Sequence, residues 1–425
     1  MRKKQQALTA ALAATGLMTL SSAQADVTYD FSGFGTLGAT HSDTREADYR
    51  GSIFQPNGPG RSGSTQFGVD TKLGGQLIAN LGNGVTATVQ VVADHRADNS
   101  YTPQFEWANL KYQINDAWYV RAGRVVAPVF MISDYRNVGY SLTNVRPAYE
   151  IYMLNPFTHL DGAEMGAKFD VAGGTLSAQA SGGRLNVPVK NRGDMQTIYV
   201  TGSDRNINLS YEKGASTLRI GYNKTKTSSQ NDDIAQLDRL FSYGSWVGYP
   251  TPNGNLHNIE ATLLDLGYIY DDGKWLAQAE LVQDRSEGPS IQDTDAWSAL
   301  LGYRVGKWTP YAAYSSMRSK EPPLRYAPAN PGNPASPFYP MLQQLANGIN
   351  QFDSLVNTHN QQHTVTLGAR YDLAKNVAVK TQWDRTFKPS MLPGLNRGAF
   401  MNPTTAFTEG SYTVNLYTVT LDFVF

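Results

Sequence analysis

The residues best equipped for chemistry cluster in one stretch, SDYRNVGYSLTNVRPAYEIY (133–152). It holds two arginines, Arg136 and Arg146, two carboxylates, Asp134 and Glu150, and four tyrosines, Tyr135, Tyr140, Tyr149 and Tyr152. Opposed charges across water can set a transverse field, and arginine forks can hold a carboxylate. Tyrosine rings can offer a flat face to a sugar. The same side chains can instead form ion pairs and packing contacts that brace a loop, and composition leaves both roles open. Pro147 fixes the backbone after Arg146 and Gly139 permits a turn, which suits a rigid folded loop.

Other chemistry finds little footing. The chain has no cysteine, hence no thiolate metal site and no cysteine nucleophile. His41, His95, His159, His257, His359 and His363 are scattered. The last two are four apart, but on a strand or its loop end that spacing does not build a helical zinc pair. No nucleophile elbow, phosphate loop or dinucleotide fingerprint occurs, so neither an enzyme nor a cofactor is expected. SEGPSIQDTD (286–295) and the Asp-Asp pair at 232–233 read as solvated loop charge. Basic and acidic side chains balance at 36 each, which argues against a nucleic-acid partner.

The elements that must position these residues show period-two alternation, the mark of a strand with two unlike faces. In VTATVQVVADHR (85–96), Val85, Ala87, Val89, Val91 and Ala93 oppose Thr86, Thr88, Gln90 and Asp94. QQHTVTLGARYD (361–372) and NVAVKTQWD (376–384) repeat the pattern. Seven short turns (81–84, 114–116, 172–174, 212–214, 271–274, 305–307 and 374–376) alternate with eight longer connections. The latter lie near 43–65, 97–103, 127–160, 186–195, 228–256, 287–293, 320–358 and 389–410. Fifteen joints make sixteen strands, with short turns at one end and long loops at the other. At LLDLGY (263–268) the alternation slips, predicting a bulge or a change of phase. The loop 320–358 is rich in Pro and Asn before a short helix and is long enough to cover a mouth of the barrel.

A soluble sandwich would turn its apolar faces inward, whereas a transmembrane barrel turns them outward around a polar lumen. Charges on the polar faces favour the barrel, since they rarely fill a dry core. Tyr29, Trp118, Trp275, Trp297, Trp308, Tyr371 and Phe425 sit toward strand ends, where interfacial aromatics belong. Residues 1–25 read as a cleaved signal peptide: Arg2, Lys3 and Lys4, the apolar ALTAALAATGLMTL (7–20), then Ala23-Gln24-Ala25. Its removal leaves a slight acidic excess.

An export signal, sixteen amphipathic strands and the terminal YTVTLDFVF (417–425) together resemble the Gram-negative general porins, across essentially all of residues 26–425. The resemblance implies an all-β fold, a transmembrane antiparallel β-barrel of sixteen strands in the cell outer membrane, associating as a homotrimer. It also implies outer-membrane lipid and lipopolysaccharide as surroundings. The terminal Phe425 is similar to the signal read by the barrel assembly machinery. In that family the third long loop folds inward and narrows the channel, which maps this role onto 127–160. Candidate loop residues are Asp134, Tyr135, Arg136, Arg146, Tyr149 and Glu150, with Asp161 at the margin. Wall candidates are Lys72, Arg121, Arg219, Arg370 and Lys380, beside Asp70, Asp94, Glu280 and Asp384. The loop's own arginines and tyrosines depart from the family's mostly acidic loop. The expected function is passive diffusion of ions and small hydrophilic solutes. The alternatives are a channel preferring carboxylates or sugars, and an adhesion or ligand-binding barrel with a blocked lumen.

Overall fold

The computed structural model describes residues 27–189, 197–232, 234–236, 238–239, 242, 257–287, 292–320, 333–356, 358–390 and 395–425. The signal-peptide reading of 1–25 lies outside the described residues, as do Asp233, residues 288–291 and residues 321–332.

Sixteen strands close into one antiparallel barrel. They are Thr28–Ser42 (β1), Lys72–Gly82 (β2), Val85–Asp94 (β3), Gln104–Gln113 (β4), Trp118–Val126 (β5), His159–Val171 (β6), Gly174–Val189 (β7) and Ile198–Lys213 (β8). Then follow Ser216–Gln230 (β9), Ile259–Asp271 (β10), Trp275–Ser286 (β11), Thr294–Tyr303 (β12), Trp308–Ser319 (β13), Gln362–Ala374 (β14), Val377–Lys388 (β15) and Tyr412–Val424 (β16). Each pairs with its sequence neighbours, and β1 pairs with β16 to close the ring. The first half of β1, Thr28–Thr36, pairs with β2, while Phe34–Ser42 pairs with β16. This offset is the stagger that a tilted, closed sheet requires.

The strands form where the alternation predicts them. On β15, Ala378, Lys380, Gln382, Asp384, Thr386 and Lys388 are all buried and point inward. Outward positions carry large exposed apolar side chains such as Leu37, Ile207, Ile220, Leu281 and Leu301. Short turns use left-handed backbone, as at Asn83-Gly84 (φ 50° and 77°) and Ala172-Gly173 (φ 51° and 76°). Such turns match the right-handed twist of the strands they join. Aromatic pairs mark the strand ends: Trp118 with Phe169, Trp275 with Tyr303, Trp308 with Tyr371 and Phe31 with Phe425. No described helix is long and apolar enough to cross a membrane.

Two expectations need correction. LLDLGY contains no bulge: β10 keeps unbroken register with both neighbours. Leu263 points inward, buried, because it packs against the third loop, so an apolar residue there is in phase. The irregularities fall instead at Asn80/Gly82, Gln90/Val91 and Asp372/Ala374. Asp161 belongs to β6, faces outward and pairs with Arg124 at 2.7 Å.

Two apolar clusters in the interior join loops to the wall, and a third, of Leu276, Leu300 and Tyr311, lies on the wall itself. One joins Val129, Phe130, Ile151 and Phe157 of the third loop to Leu185, Leu263, Val282, Ala296 and Met317 of the wall. The other joins Ala47, Tyr49 and Val69 of the first loop, Tyr149 of the third, and Ala399, Phe400 and Phe407 of the eighth to Val414 and Leu416 of β16. Asp48-Tyr49 also pairs with Phe400-Met401 as a two-residue ladder. Tyr339–Val356, after the Pro-rich stretch, is a helix (α1).

Candidate functional site

The third loop, residues 127–158, lies against the inward face of the wall at three places. At its start, Arg219 of β9 donates to the Val129 carbonyl at 3.0 Å, to the Pro128 carbonyl and to Asp265 of β10. Glu280 of β11 accepts from the Met131 amide at 2.9 Å. The Tyr152 hydroxyl accepts from the Ile132 amide at 3.2 Å, and its ring lies 4.8 Å from that of Phe130.

The middle of the loop is fixed to β14, β15, β16 and β1. Lys380 donates to the carbonyls of Gly139 at 2.6 Å and Asn144 at 3.0 Å, and lies 3.3 Å from Asp422. Arg370 donates to the Tyr140 and Leu142 carbonyls and stacks on the Tyr140 ring. Arg146 forks onto Asp70 at 2.8 and 2.6 Å, reaches Asp384 at 3.2 Å and donates to Thr418 at 2.9 Å. Its guanidinium also lies over the Tyr49 ring. Burial alone would pull the Arg146 pKa down, but Asp70, Tyr49 and Asp384 reverse this and hold it well above the usual arginine range. Farther on, Glu150 accepts from Ser315 at 2.8 Å, Gln362 at 2.7 Å and Thr364 at 2.5 Å. Arg136, buried, donates to the Pro156 carbonyl at 2.8 Å. Tyr149 is buried beside Tyr49, with its hydroxyl unpaired.

Asp134 differs. It is exposed and makes no side-chain hydrogen bond or ion pair among the described residues. Tyr135 beside it is half-exposed, and burial, with Asp134 and Glu280 nearby, pushes its phenol up to about 12. The guanidiniums whose fields reach Asp134 are Arg219 and Arg121. Arg121 lies directly opposite Lys111 across the β4–β5 ladder and 3.4 Å from Glu164 of β6. Tyr119 donates to Glu164 at 2.9 Å, and Lys111 stands 4.6 Å over the Tyr119 ring. Lys111, Gln113, Asp116, Tyr119, Arg121 and Lys168 line one cavity on this side. Lys72 and Asp94 face each other across β2 and β3, and Asp94 is held by Arg96 at 2.9 Å.

The structure therefore brings Arg146, Glu150, Arg219, Arg370 and Lys380 into contacts between loop and wall. It leaves Asp134, Tyr135 and Arg121 on the water side. Sequence reasoning missed Lys111, Tyr119, Glu164, Lys168 and Asp422. The signal for Lys111 was present, since it sits between the outward Leu110 and Tyr112. It also missed the inward set Asp204, Asn206, Asn223 and Thr225, where Asn223 and Thr225 donate to the Asp204 carboxylate at 2.9 Å. Among the described residues, no group of His, Cys, Asp and Glu could hold a metal ion.

Comparison with known proteins agrees with this geometry. No curated protein matches the chain in sequence. An anion-selective porin from Comamonas acidovorans is similar in structure, with a TM-score of 0.52 at 14% identity over 94% of this chain and 100% of that one. The outer-membrane channel DcaP of Acinetobacter baumannii scores 0.52 at 10% identity, covering 95% and 99%. The trimer form of OmpT from Vibrio cholerae scores 0.50 at 11% identity, covering 94% and 99%. These likenesses establish the fold. The family model for Gram-negative porins matches residues 7–387, and the chain thus belongs to that family: it is an outer-membrane porin, a channel for passive diffusion of solutes.

Proposed function

We propose that the path through this porin runs between the Asp134–Tyr135 edge of the third loop and the basic wall of Lys111, Arg121 and Lys168, and that it favours small anions such as carboxylates. The observation that carries this reading is the division of charge. Arg146, Glu150 and Lys380 spend their hydrogen bonds on fixing the loop. Arg121, Lys111 and Lys168 keep exposed surface toward the lumen, with Glu164 the nearby buried counter-charge. Fixed charges along a wet passage raise the local concentration of counter-ions and lower their barrier to entry. The mechanism uses diffusion alone, with no catalytic step. The loop 127–160 is the constriction of the single barrel domain 26–425.

The same reading gives the channel three kinds of partner. It forms a homotrimer, is inserted by the barrel assembly machinery through Phe425, and sits among outer-membrane lipid and lipopolysaccharide. Support for the second comes from Phe425, whose ring packs at the closing seam beside Phe31.

Purified protein in a planar bilayer is expected to give stepwise conductance in triplets, with a reversal potential in a KCl gradient on the anion side. Arg121→Gln with Lys111→Gln is expected to move that potential toward cations, and Asp134→Asn to move it further toward anions. Unchanged potentials in both variants would overturn the placement of the path. Absence of conductance at any salt or voltage would favour the ligand-binding barrel with a blocked lumen.

A further inference from the structure

The outward surface carries charge in an unusual arrangement on β5–β10. Arg205 lies between the buried Asp204 and Asn206, and Lys224 between the buried Asn223 and Thr225, so alternation turns both outward. Arg184, beside the buried Leu185, is exposed in the same way. Arg124, Asp161, Lys226 and Glu260 complete the set.

Among the described residues of these strands, two carboxylates face five cations, with Glu287 beyond them also acting on Lys224. Asp161 is taken by Arg124 at 2.7 and 2.8 Å, and Glu260 by Lys224 at 2.7 Å and Lys226 at 3.3 Å. Arg184 and Arg205 have no side-chain hydrogen bond or ion pair among the described residues. Arg205 stands directly opposite Lys224 across the β8–β9 register. Like charges so placed repel, and lipid-facing cations toward hydrocarbon are costly. An anion lying between them would relieve both penalties.

Beside this cluster the surface is hollow. Cross-strand register sets Leu110, Ala122, Ala163, Gly182 and Arg205 in one row. The next row toward the short-turn end is Val120, Met165, Ala180 and Ile207. Small residues in the middle of larger ones leave a shallow apolar groove that ends at Arg205. By contrast, the outward positions of β16, β1 and β2 carry Tyr417, Val419, Leu37, Ala39 and Leu73, with no lysine or arginine.

We propose that this face docks one phosphorylated, multiply acylated glycolipid of the outer leaflet. Its phosphate lies among Arg184, Arg205 and Lys224, and an acyl chain lies in the groove over Ala163, Ala180 and Gly182. The proposal rests on the outer-membrane setting with the long loops outside, and it locates the lipid contact that the preceding section gives only in general.

The test uses the folded full barrel in detergent, titrated with a purified diphosphorylated, multiply acylated disaccharide lipid and followed by native mass spectrometry. One retained lipid per chain is expected. The combined variant Arg184→Ala, Arg205→Ala, Lys224→Ala is expected to lose apparent affinity by on the order of tenfold or more. A dephosphorylated form of the same lipid and phosphatidylglycerol should both be retained poorly. Equal retention by the variant, or of the dephosphorylated lipid, would overturn the site. Ser203→Cys in this cysteine-free chain adds a second check, because efficient crosslinking between copies in membranes would show that a protomer covers the face instead. Bilayer conductance of the triple variant should match the parent, which separates loss of the lipid site from failure of the channel itself. If the triple variant does not fold, Arg205→Gln alone carries the same comparison, with a smaller loss expected.

Discussion

A buried guanidinium held by two carboxylates is a fastening, and Arg146 is enclosed on every side by such partners. Asp70, Asp384 and Thr418 engage all three of its nitrogens and the Tyr49 ring covers its face, which turns it away from a passing solute. Arg146→Gln should therefore leave the reversal potential nearly unchanged while raising open-channel noise. It should also lower stability in detergent by roughly 3–5 kcal/mol, because two buried carboxylates lose their counter-charge. Denaturant unfolding followed by tryptophan fluorescence, with single-channel recording beside it, checks both halves. Asp134 should behave in the opposite sense, shifting selectivity when neutralised with little effect on stability, since its side chain braces nothing. The sequence placed these two residues in one category because loop composition carries no information about which wall residue each side chain meets. Only the closed barrel brings Asp70, Asp384 and Thr418, from three separate strands or strand ends, to one arginine.

At the scale of the element, the third loop is held by backbone as much as by side chain. Gly139 lies so near β1 and β16 that a Cβ there would run into the Asp422 carboxylate and the Thr36 hydroxyl, which already share a hydrogen bond of 2.6 Å. Gly139→Val should push this stretch off the wall, lifting its carbonyl from Lys380 at a cost of about 1–3 kcal/mol. Conductance per step should change, and protease sensitivity within 133–150 should rise. The strands themselves were legible because alternation is a local property, and turn residues such as Asn83-Gly84 announce the hairpins. What alternation could not show was that inward apolar residues mark loop contacts. Leu263, Val282, Ala296 and Met317 break the rule of a polar lumen because Phe130 and Ile151 reach them from the loop. The apparent slip at LLDLGY was thus the imprint of a folded-in loop, misread as irregularity of the strand. The union of the first and eighth loops through Tyr49 and Phe400 was equally invisible, being a contact between segments about 350 residues apart.

For the whole molecule, sixteen strands and a barrel were readable from the alternation and the count of joints, whereas the register of the closing seam was not, since no local pattern states which residues of β1 meet β16. The seam has its own chemistry. The rings of Phe423 and Phe425 lie over Gly35 and Gly33, where any Cβ would collide with them. Gly35→Val should therefore reduce the yield of heat-modifiable, fully folded barrel on gels, and Phe423→Ala should weaken the seam by removing the ring that covers the glycine. The register also has a temporal meaning. Every other ladder of the barrel wall joins strands adjacent in sequence, but Phe34–Ser42 of the first wall strand finds its wall partner in Tyr412–Val424, the sixteenth. Until that final hairpin is delivered, the growing sheet has two bare edges and cannot be sealed against lipid. A chain halted a dozen residues early would have nearly all of its hairpins and still lack the one strand that seals the ring.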